Sequence, residues 1–282
     1  MLTSYLLSLR EGLEAALVIG IVLGALRQMQ RRDLVPPVWA GTLSALVLCV
    51  LAAVGLNALG LSLEGPAEMI FEGFTMLLAA GVLTWMIFWM ADQARTLKTG
   101  LEGSIRQASQ TGRRGLFLLA FLAVLREGVE LALFLTASAF ASDTRQTIMG
   151  ALLGLASAVL LGVLLFASTL RLDLRRFFQL TGILLLLFAA GLVAHGVHEF
   201  NEVGWIPSIV EHVWDVNPVL DETSTLGQML KSLLGYNGNP SLSEVLAYAA
   251  YLLAVLLELR QAGKKQPQLT ERLMEGPQPA QK

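Results

Sequence analysis

Residues 9–14 read Leu-Arg-Glu-Gly-Leu-Glu, and residues 125–130 read Leu-Arg-Glu-Gly-Val-Glu. Each copy places three ionisable side chains inside a run of apolar residues that is long enough to cross a bilayer. Holding one charge at the bilayer centre costs roughly 2.5–3.5 kcal/mol on membrane-insertion scales. A single cluster of this kind is readily explained as an accident of packing, but two copies with the same spacing indicate a shared function.

The composition around these motifs is that of a membrane protein. Of the 282 residues, 55% are hydrophobic and 15% are charged, whereas a soluble domain averages about 25% charged residues. Backbone groups in lipid must bond within their own segment, so the long apolar runs are predicted to be helices. We predict an all-α polytopic membrane protein with seven transmembrane helices, at residues 2–26, 37–59, 67–90, 116–141, 147–169, 177–198 and 242–259.

We predict that the first helix is retained in the mature protein and is not a signal peptide. Arg10, Glu11 and Glu14 interrupt what would be the uncharged apolar centre of a signal peptide, and no small-residue cleavage site follows. The single cysteine, Cys49, excludes an intramolecular disulfide and makes a cysteine metal site a poor hypothesis.

Basic residues gather on alternate connections between the predicted helices. They follow the first, third, fifth and seventh spans: Arg27, Arg31 and Arg32; Arg95, Lys98, Arg106, Arg113 and Arg114; Arg171, Arg175 and Arg176; and Arg260, Lys264, Lys265 and Arg272. The other connections hold only Arg145 and Lys231. Because cytoplasmic loops carry the excess of Lys and Arg, we predict a protein of the cytoplasmic (inner) membrane with its N-terminus outside and its C-terminus in the cytoplasm.

The chain also repeats itself. The Arg-Glu-Gly-x-Glu motif occurs in the first and fourth spans, and Ala-Ala-Gly at residues 79–81 recurs at residues 189–191. Residues 1–92 and 115–200 are therefore predicted to be two three-helix units, and because three is odd they run in opposite directions, an arrangement typical of transporters. The remaining predicted segments are a cytoplasmic loop at 93–114, an extracytoplasmic loop at 201–241, a seventh helix at 242–260 and a disordered cytoplasmic tail at 261–282.

The motifs themselves suggest a cation site near the middle of the membrane. Arg10 and Glu14 are four residues apart, as are Arg126 and Glu130, so each pair shares a helix face. If the two helices cross at the motifs, four carboxylates meet two guanidinium groups, which suits a hard cation such as ferric iron. The alternative is that the ion pairs only join helices. Buried ion pairs rarely add net stability, so this alternative is the weaker one.

These features resemble the oxidase-linked high-affinity iron permease family, in particular its bacterial branch, and are similar to the yeast iron permease. Besides the doubled Arg-Glu-x-x-Glu motif, residues 71–73 (Phe-Glu-Gly), 83–86 (Leu-Thr-Trp-Met) and 88–90 (Phe-Trp-Met) resemble the third span of that family. Residues 214–215 (Trp-Asp), 219–220 (Val-Leu), 235–236 (Gly-Tyr) and 243–245 (Ser-Glu-Val) resemble the last loop and the seventh span of the bacterial branch.

The resemblance implies import of iron across the cytoplasmic membrane, with the ion taken as ferric iron after oxidation by an extracytoplasmic partner protein. Carried onto this chain, it implies Glu11, Glu14, Glu127 and Glu130 as iron ligands and Arg10 and Arg126 as their charge partners. Iron is then the transported ion, and no cofactor is expected.

Acidic and histidine residues near the outer ends of two spans form a second group of candidates: Glu68, Glu72, His195, His198, Glu199 and Glu202. Glu72 is interpreted as a ligand that meets the incoming ion, with capping of a helix N-terminus as the alternative; capping suits Glu68 better. The other four share one broad helix face and suggest a metal-collecting vestibule, although polar residues are also ordinary at an aqueous interface. Trp85 and Trp89, with three methionines, are interpreted as core packing and an interface belt.

Two other functions remain open at this stage. One is transport of a different metal cation. The other is a membrane-embedded metalloenzyme, suggested by His195, His198 and Glu199, but the His-Glu-x-x-His spacing is missing, so we do not expect an enzyme. No nucleotide-binding motif is present, which argues against direct use of ATP, and no nucleic-acid partner is expected.

Overall fold

The computed structural model describes residues 1–93, 112–141, 143–167, 174–222 and 224–274, and every regular element in these ranges is helical. The α-helices are α1 (Leu2–Gln28), α2 (Val35–Ser62), α3 (Pro66–Gln93), α4 (Arg113–Ala141), α5 (Thr144–Ala167), α6 (Leu174–Glu202), α7 (Thr225–Leu234) and α8 (Leu242–Met274). Most of the predicted cytoplasmic loop at 93–114 lies outside the described residues.

Five of the described helices are long and apolar enough to cross a membrane: α2, α3, α5, α6 and α8. The two helices that carry the repeated motif, α1 and α4, are equally long, at 27 and 29 residues. Each of them carries three ionisable residues near its middle, within an apolar run as long as those of the other five. These charges, rather than a lack of apolar residues, set the two helices apart from the five apolar spans.

The helices pack as pairs that cross between the two halves of the chain. Within the described residues, α1 lies along α5, α2 lies along α4, α3 lies along α6, and α1 also contacts α4. Glycine permits two of these close approaches. A Cβ atom at Gly12 would lie 2.7 Å from Cβ of Ala158 on α5, and one at Gly128 would lie 2.9 Å from Cβ of Cys49 on α2. Both glycines belong to the repeated motif, so the motif also brings its helix against a partner.

The helices enclose two separate apolar clusters. One apolar cluster joins α1, α3, α4 and α6 and includes Leu7, Met76, Phe134 and Leu185, all at most 1% exposed. A second cluster fills the space between the later half of α1 and the first turns of α2 and α4, around residues such as Val22. The charged motifs lie along α1 and α4 between these two layers.

The segment predicted as an extracytoplasmic loop contains a helix that the sequence analysis missed. Helix α7 starts after Ser224, whose side chain accepts a hydrogen bond from the backbone N–H of Gly227 at 3.0 Å. It ends at Gly235, which adopts a left-handed conformation with φ of 66° and comes close to Gly191 on α6. This segment therefore folds back onto α6.

The last helix is longer than predicted. The seventh span was expected to end near residue 260 and to be followed by a disordered tail, but α8 continues to Met274. The residues after 260 include Gln, Ala, Lys, Glu and Arg, which have good helix propensity, so the polar composition of this segment does not prevent helix formation. Residues 275–282 lie outside the described part of the chain.

Candidate metal centre

The contact between α1 and α4 brings the two charged motifs together. Carboxylate oxygens of Glu11, Glu14 and Glu127 lie within 4.8 Å of one another, the one such group of metal-binding side chains found in the described residues. Two of these side chains come from the first copy of the motif and one from the second. Carboxylates at this separation repel each other unless a cation or protons lie among them, so the group has the geometry of a cation site.

Burying these carboxylates costs free energy unless a cation binds them. Glu11 is 1% exposed, and neither of its carboxylate oxygens accepts a hydrogen bond from the described residues. One oxygen each of Glu127 and Glu130 is also buried and accepts no hydrogen bond there. A buried carboxylate oxygen without a donor loses its hydration and gains nothing in return. These oxygens therefore fit the donor set of a hard cation.

Each arginine of the motif pairs with the glutamate four residues later. Nε of Arg10 donates to Oε1 of Glu14 at 3.1 Å, and Nε of Arg126 donates to Oε1 of Glu130 at 3.0 Å. The distance from Nε of Arg126 to Oε1 of Glu127 is 3.9 Å. Of the four glutamates predicted as ligands, Glu130 is the one outside the three-carboxylate group.

The two arginines differ in their surroundings. The side chain of Arg10 is 1% exposed, whereas that of Arg126 is 37% exposed. The guanidinium carbon of Arg126 lies 4.3 Å from the centre of the Trp89 ring on α3. The sequence analysis interprets Trp89 as part of the core packing and the interface belt, and does not predict this contact.

The packing of α3 along α6 places the outer acidic candidates at one end of the bundle. Glu68 and Glu199 are both close enough to Glu72 to act on its charge electrostatically. Glu72 and Glu199 are half-buried, while Glu68 and Glu202 are exposed. The structure therefore groups these four acids, at a distance along α3 and α6 from the buried carboxylates of α1 and α4.

The two histidines have partners within the protein. Nδ1 of His195 lies 2.9 Å from the backbone carbonyl oxygen of Gly191 in its own helix. Nδ1 of His198 lies 3.0 Å from Oε1 of Glu244 on α8, and its Nε2 lies 4.0 Å from Oε1 of Glu202. His198 thus links α6 to α8. This is a structural role in addition to the metal-collecting role that the sequence suggests.

Glu244 is a residue that the sequence analysis did not assign to any site. It is 3% exposed and accepts hydrogen bonds from Ser241 and from the side chain of Asn237. Ser241 in turn accepts from the backbone N–H of Glu244, so the two form a reciprocal cap at the start of α8. The Ser-x-x-Glu spacing at residues 241–244, just before an apolar run, is the sequence signal that predicts this cap.

Comparison with known proteins gives consistent results over nearly the whole chain. A profile of the iron permease FTR1 family matches residues 1–262. The chain is 37% identical over 261 residues to the ferrous iron permease EfeU of Escherichia coli O6:K15:H31 (strain 536 / UPEC), covering 91% of this chain and 94% of that protein. It is 35% identical to the ferrous iron permease EfeU of Yersinia pestis, covering 91% and 92%. No solved structure matches the chain.

Proposed function

We propose, from the fact that the chain belongs to the iron permease FTR1 family, that its buried glutamates are the site through which iron crosses the membrane. Members of the family are permeases and not enzymes, so the chain is a multi-pass membrane protein of iron uptake. The site, the oxidation state of the ion and the topology are the parts that we propose here.

The main support for this site is that carboxylate oxygens of three glutamates on two separate helices lie within 4.8 Å of one another. Glu11, Glu14 and Glu127 supply the oxygen ligands, and Glu130 joins them when Arg126 releases it. Glutamate oxygens are hard ligands and bind iron ions without help from cysteine or histidine. Because the ligands come from α1 and α4, a small movement of one helix relative to the other changes the number of oxygens that face the ion.

The arginines adjust the charge of this site. Four carboxylates and two guanidinium groups leave two negative charges in excess. Arg10 and Arg126 hold Glu14 and Glu130 while no ion is bound, and they lower the net attraction enough for the ion to leave. A site of four glutamates without arginines would hold a trivalent ion too tightly to transport it.

The ion at this site is ferric iron. The all-carboxylate donor set supports this assignment, as does the resemblance to oxidase-linked permeases, in which a partner protein oxidises the iron outside the membrane. The relatives are named ferrous iron permeases, so the opposite assignment has its own support. Radioactive iron uptake into liposomes that contain the purified chain distinguishes the two.

We expect uptake from ferric citrate in the absence of a reductant, with empty liposomes as the control. Uptake that requires ascorbate and stops when an Fe²⁺ chelator is added would show that the permease takes ferrous iron. Excess manganese or zinc should leave the uptake unchanged. Competition by either metal at equal concentration would instead favour a general divalent-cation transporter.

The outer acidic group delivers the ion to the buried site. Glu68, Glu72, Glu199 and Glu202 gather at one end of α3 and α6, and their negative field raises the local concentration of cations. His195 and His198 lie beside this group but are already engaged within the protein, so the carboxylates are the stronger candidates. The acidic loop at 201–241 faces the same side and is where an iron-oxidising partner would deliver its product.

Seven membrane helices in an inverted repeat account for the packing. If residues 1–92 and 115–200 are related units, then α1 corresponds to α4 and α2 corresponds to α5. The packing of α1 on α5 then has its counterpart in the packing of α4 on α2, and the Gly12 contact has its counterpart in the Gly128 contact. Helix α8 is the additional seventh span, and the binding site lies where the two units meet.

The orientation follows from the basic residues, with the N-terminus outside and the C-terminus in the cytoplasm. Since Cys49 is the only cysteine, Cys49→Ser gives a background for labelling single cysteines in intact cells. A membrane-impermeant maleimide should label Glu211→Cys directly, but should label Arg32→Cys only after the membrane is permeabilised. Both positions are exposed, so access to the reagent decides the result. The reverse pattern would invert the topology.

A further inference from the structure

Trp89 contacts Arg126, the arginine of the second motif, and this contact distinguishes Arg126 from Arg10 of the first motif. The Trp89 ring lies 4.3 Å from the guanidinium carbon, on α3, while the arginine belongs to α4. Arg126 is 37% exposed, so neither Trp89 nor the glutamates enclose it fully. Arg10, by contrast, is 1% exposed and is held by the surrounding protein.

The contact is chemically specific. The face of an indole ring carries negative potential and attracts a cation more strongly than the ring of tyrosine or phenylalanine. A planar guanidinium group over such a face keeps N–H groups in its own plane for hydrogen bonds to carboxylates. Trp89 and Glu130 therefore contact the same guanidinium group at the same time, Trp89 with its ring and Glu130 at Nε.

We propose that Trp89 is a positioning residue for Arg126, and that it gives the arginine a resting place away from Glu127 when iron occupies the site. This inference rests on the proposed function of the glutamates. Nε of Arg126 lies 3.0 Å from Glu130 and 3.9 Å from Glu127, so a small shift decides which carboxylates the guanidinium neutralises. With the guanidinium held on the ring, Glu127 stays free to bind the ion together with Glu11 and Glu14. Without the ring, the arginine competes with the ion for Glu127.

Trp85 provides a matched control one turn away on α3. Its ring stacks on that of Trp89, with 6.3 Å between centres and 27° between planes. Trp85 is 58% exposed. Replacing Trp85 removes an aromatic ring of the same size from the same helix. Comparing this variant with the Trp89 variant therefore distinguishes the loss of the Arg126 contact from the loss of an aromatic surface.

The test is a double-variant comparison of the apparent affinity for iron, measured as the KM of uptake from ferric citrate and from ferrous ascorbate in liposomes. Trp89→Leu should raise KM about 10-fold, within the range of roughly 2- to 30-fold that a cation–π contact supplies. Trp89→Phe, which keeps a weaker aromatic face, should fall between Trp89→Leu and the wild type. Trp85→Leu should stay within about 2-fold of the wild type on the same scale.

The decisive comparison uses Arg126→Gln. In that background the change from Trp89 to Leu should have no further effect on KM, because the cation that the ring attracts is gone. An equal loss of affinity with and without Arg126, or no change of KM in Trp89→Leu and Trp89→Phe, would show that Trp89 only packs. If Glu11→Gln still transports iron normally, the glutamate site itself is wrong, so failure of the proposed function is distinguishable from failure of this inference.

Discussion

Replacing Glu11 by glutamine is expected to abolish iron uptake while the amount of permease in the membrane stays the same. Both carboxylate oxygens of Glu11 are buried and accept no hydrogen bond from the described residues. Of the proposed ligand atoms, these two therefore have the least evidence of a purely structural role. Glutamine keeps the shape of the side chain but removes the charge. A ligand loss should cost at least as much as the 10- to 100-fold typical of groups that only support a metal ligand, so uptake should fall about 100-fold or more.

The thermal stability of the Glu11→Gln variant should not fall with its uptake. Burial of a charged carboxylate is expensive, and a neutral amide of the same volume costs less to bury. Glu11→Gln should therefore melt at the same temperature as the wild type or higher, measured in detergent on purified protein. Glu258→Gln makes the same chemical change at an exposed position on α8 and should leave both quantities unchanged. Normal iron uptake by Glu11→Gln would remove this residue from the transport site.

The sequence predicts that the two charged motifs meet better than it predicts the contacts around them. Ionisable residues within an apolar run are visible in one dimension, and two copies of Arg-Glu-Gly-x-Glu at similar depth give a reason for α1 and α4 to meet. Helical spacing also predicts the pairs Arg10–Glu14 and Arg126–Glu130, because residues four apart share a face. The structure contains both pairs and brings three of the four carboxylates together.

Contacts between distant parts of the chain are where sequence reasoning falls short. Nothing in the spacing of residues says that Trp89 on α3 lies over Arg126 on α4, or that His198 on α6 pairs with Glu244 on α8. Each contact depends on the rotation of one helix against another, which periodicity leaves undetermined. The difference in exposure between the two arginines has the same origin, because a repeated motif by itself predicts similar surroundings for both.

Short helices within polar loops are also difficult to predict from the sequence. Helix α7 has 10 residues, which is too short for a helix to be stable alone, so its formation depends on packing against α6 and on its caps. Its start at Ser224 and its end at Gly235 are ordinary capping signals that become visible once a helix is suspected. The extension of α8 to Met274 is the opposite case, since a polar composition predicts disorder where the chain is helical.

Replacing Arg10 by glutamine should destabilise the permease far more than the same change at Arg126. Arg10 is 1% exposed and pairs with Glu14 at 3.1 Å in the interior, next to the carboxylate of Glu11. Removing one partner of a buried ion pair typically costs about 3–5 kcal/mol, since the other charge stays behind uncompensated. Arg126 is 37% exposed, so water in the path of the ion can hydrate the carboxylate that Arg126→Gln leaves behind, and the cost there should be smaller, about 1 kcal/mol.

A double variant tests this explanation directly. If the destabilisation of Arg10→Gln comes from a carboxylate left without its cation, then Arg10→Gln combined with Glu14→Gln should recover most of the lost stability, because the pair is then neutral on both sides. The measurement is the melting temperature of purified protein in detergent, alongside the fraction that elutes as a single species in size-exclusion chromatography. Iron uptake should remain lost in the double variant because Glu14 no longer carries its charge. Equal melting temperatures for Arg10→Gln and the wild type would mean that the protein tolerates the uncompensated charge, and the arginine would then act on transport alone.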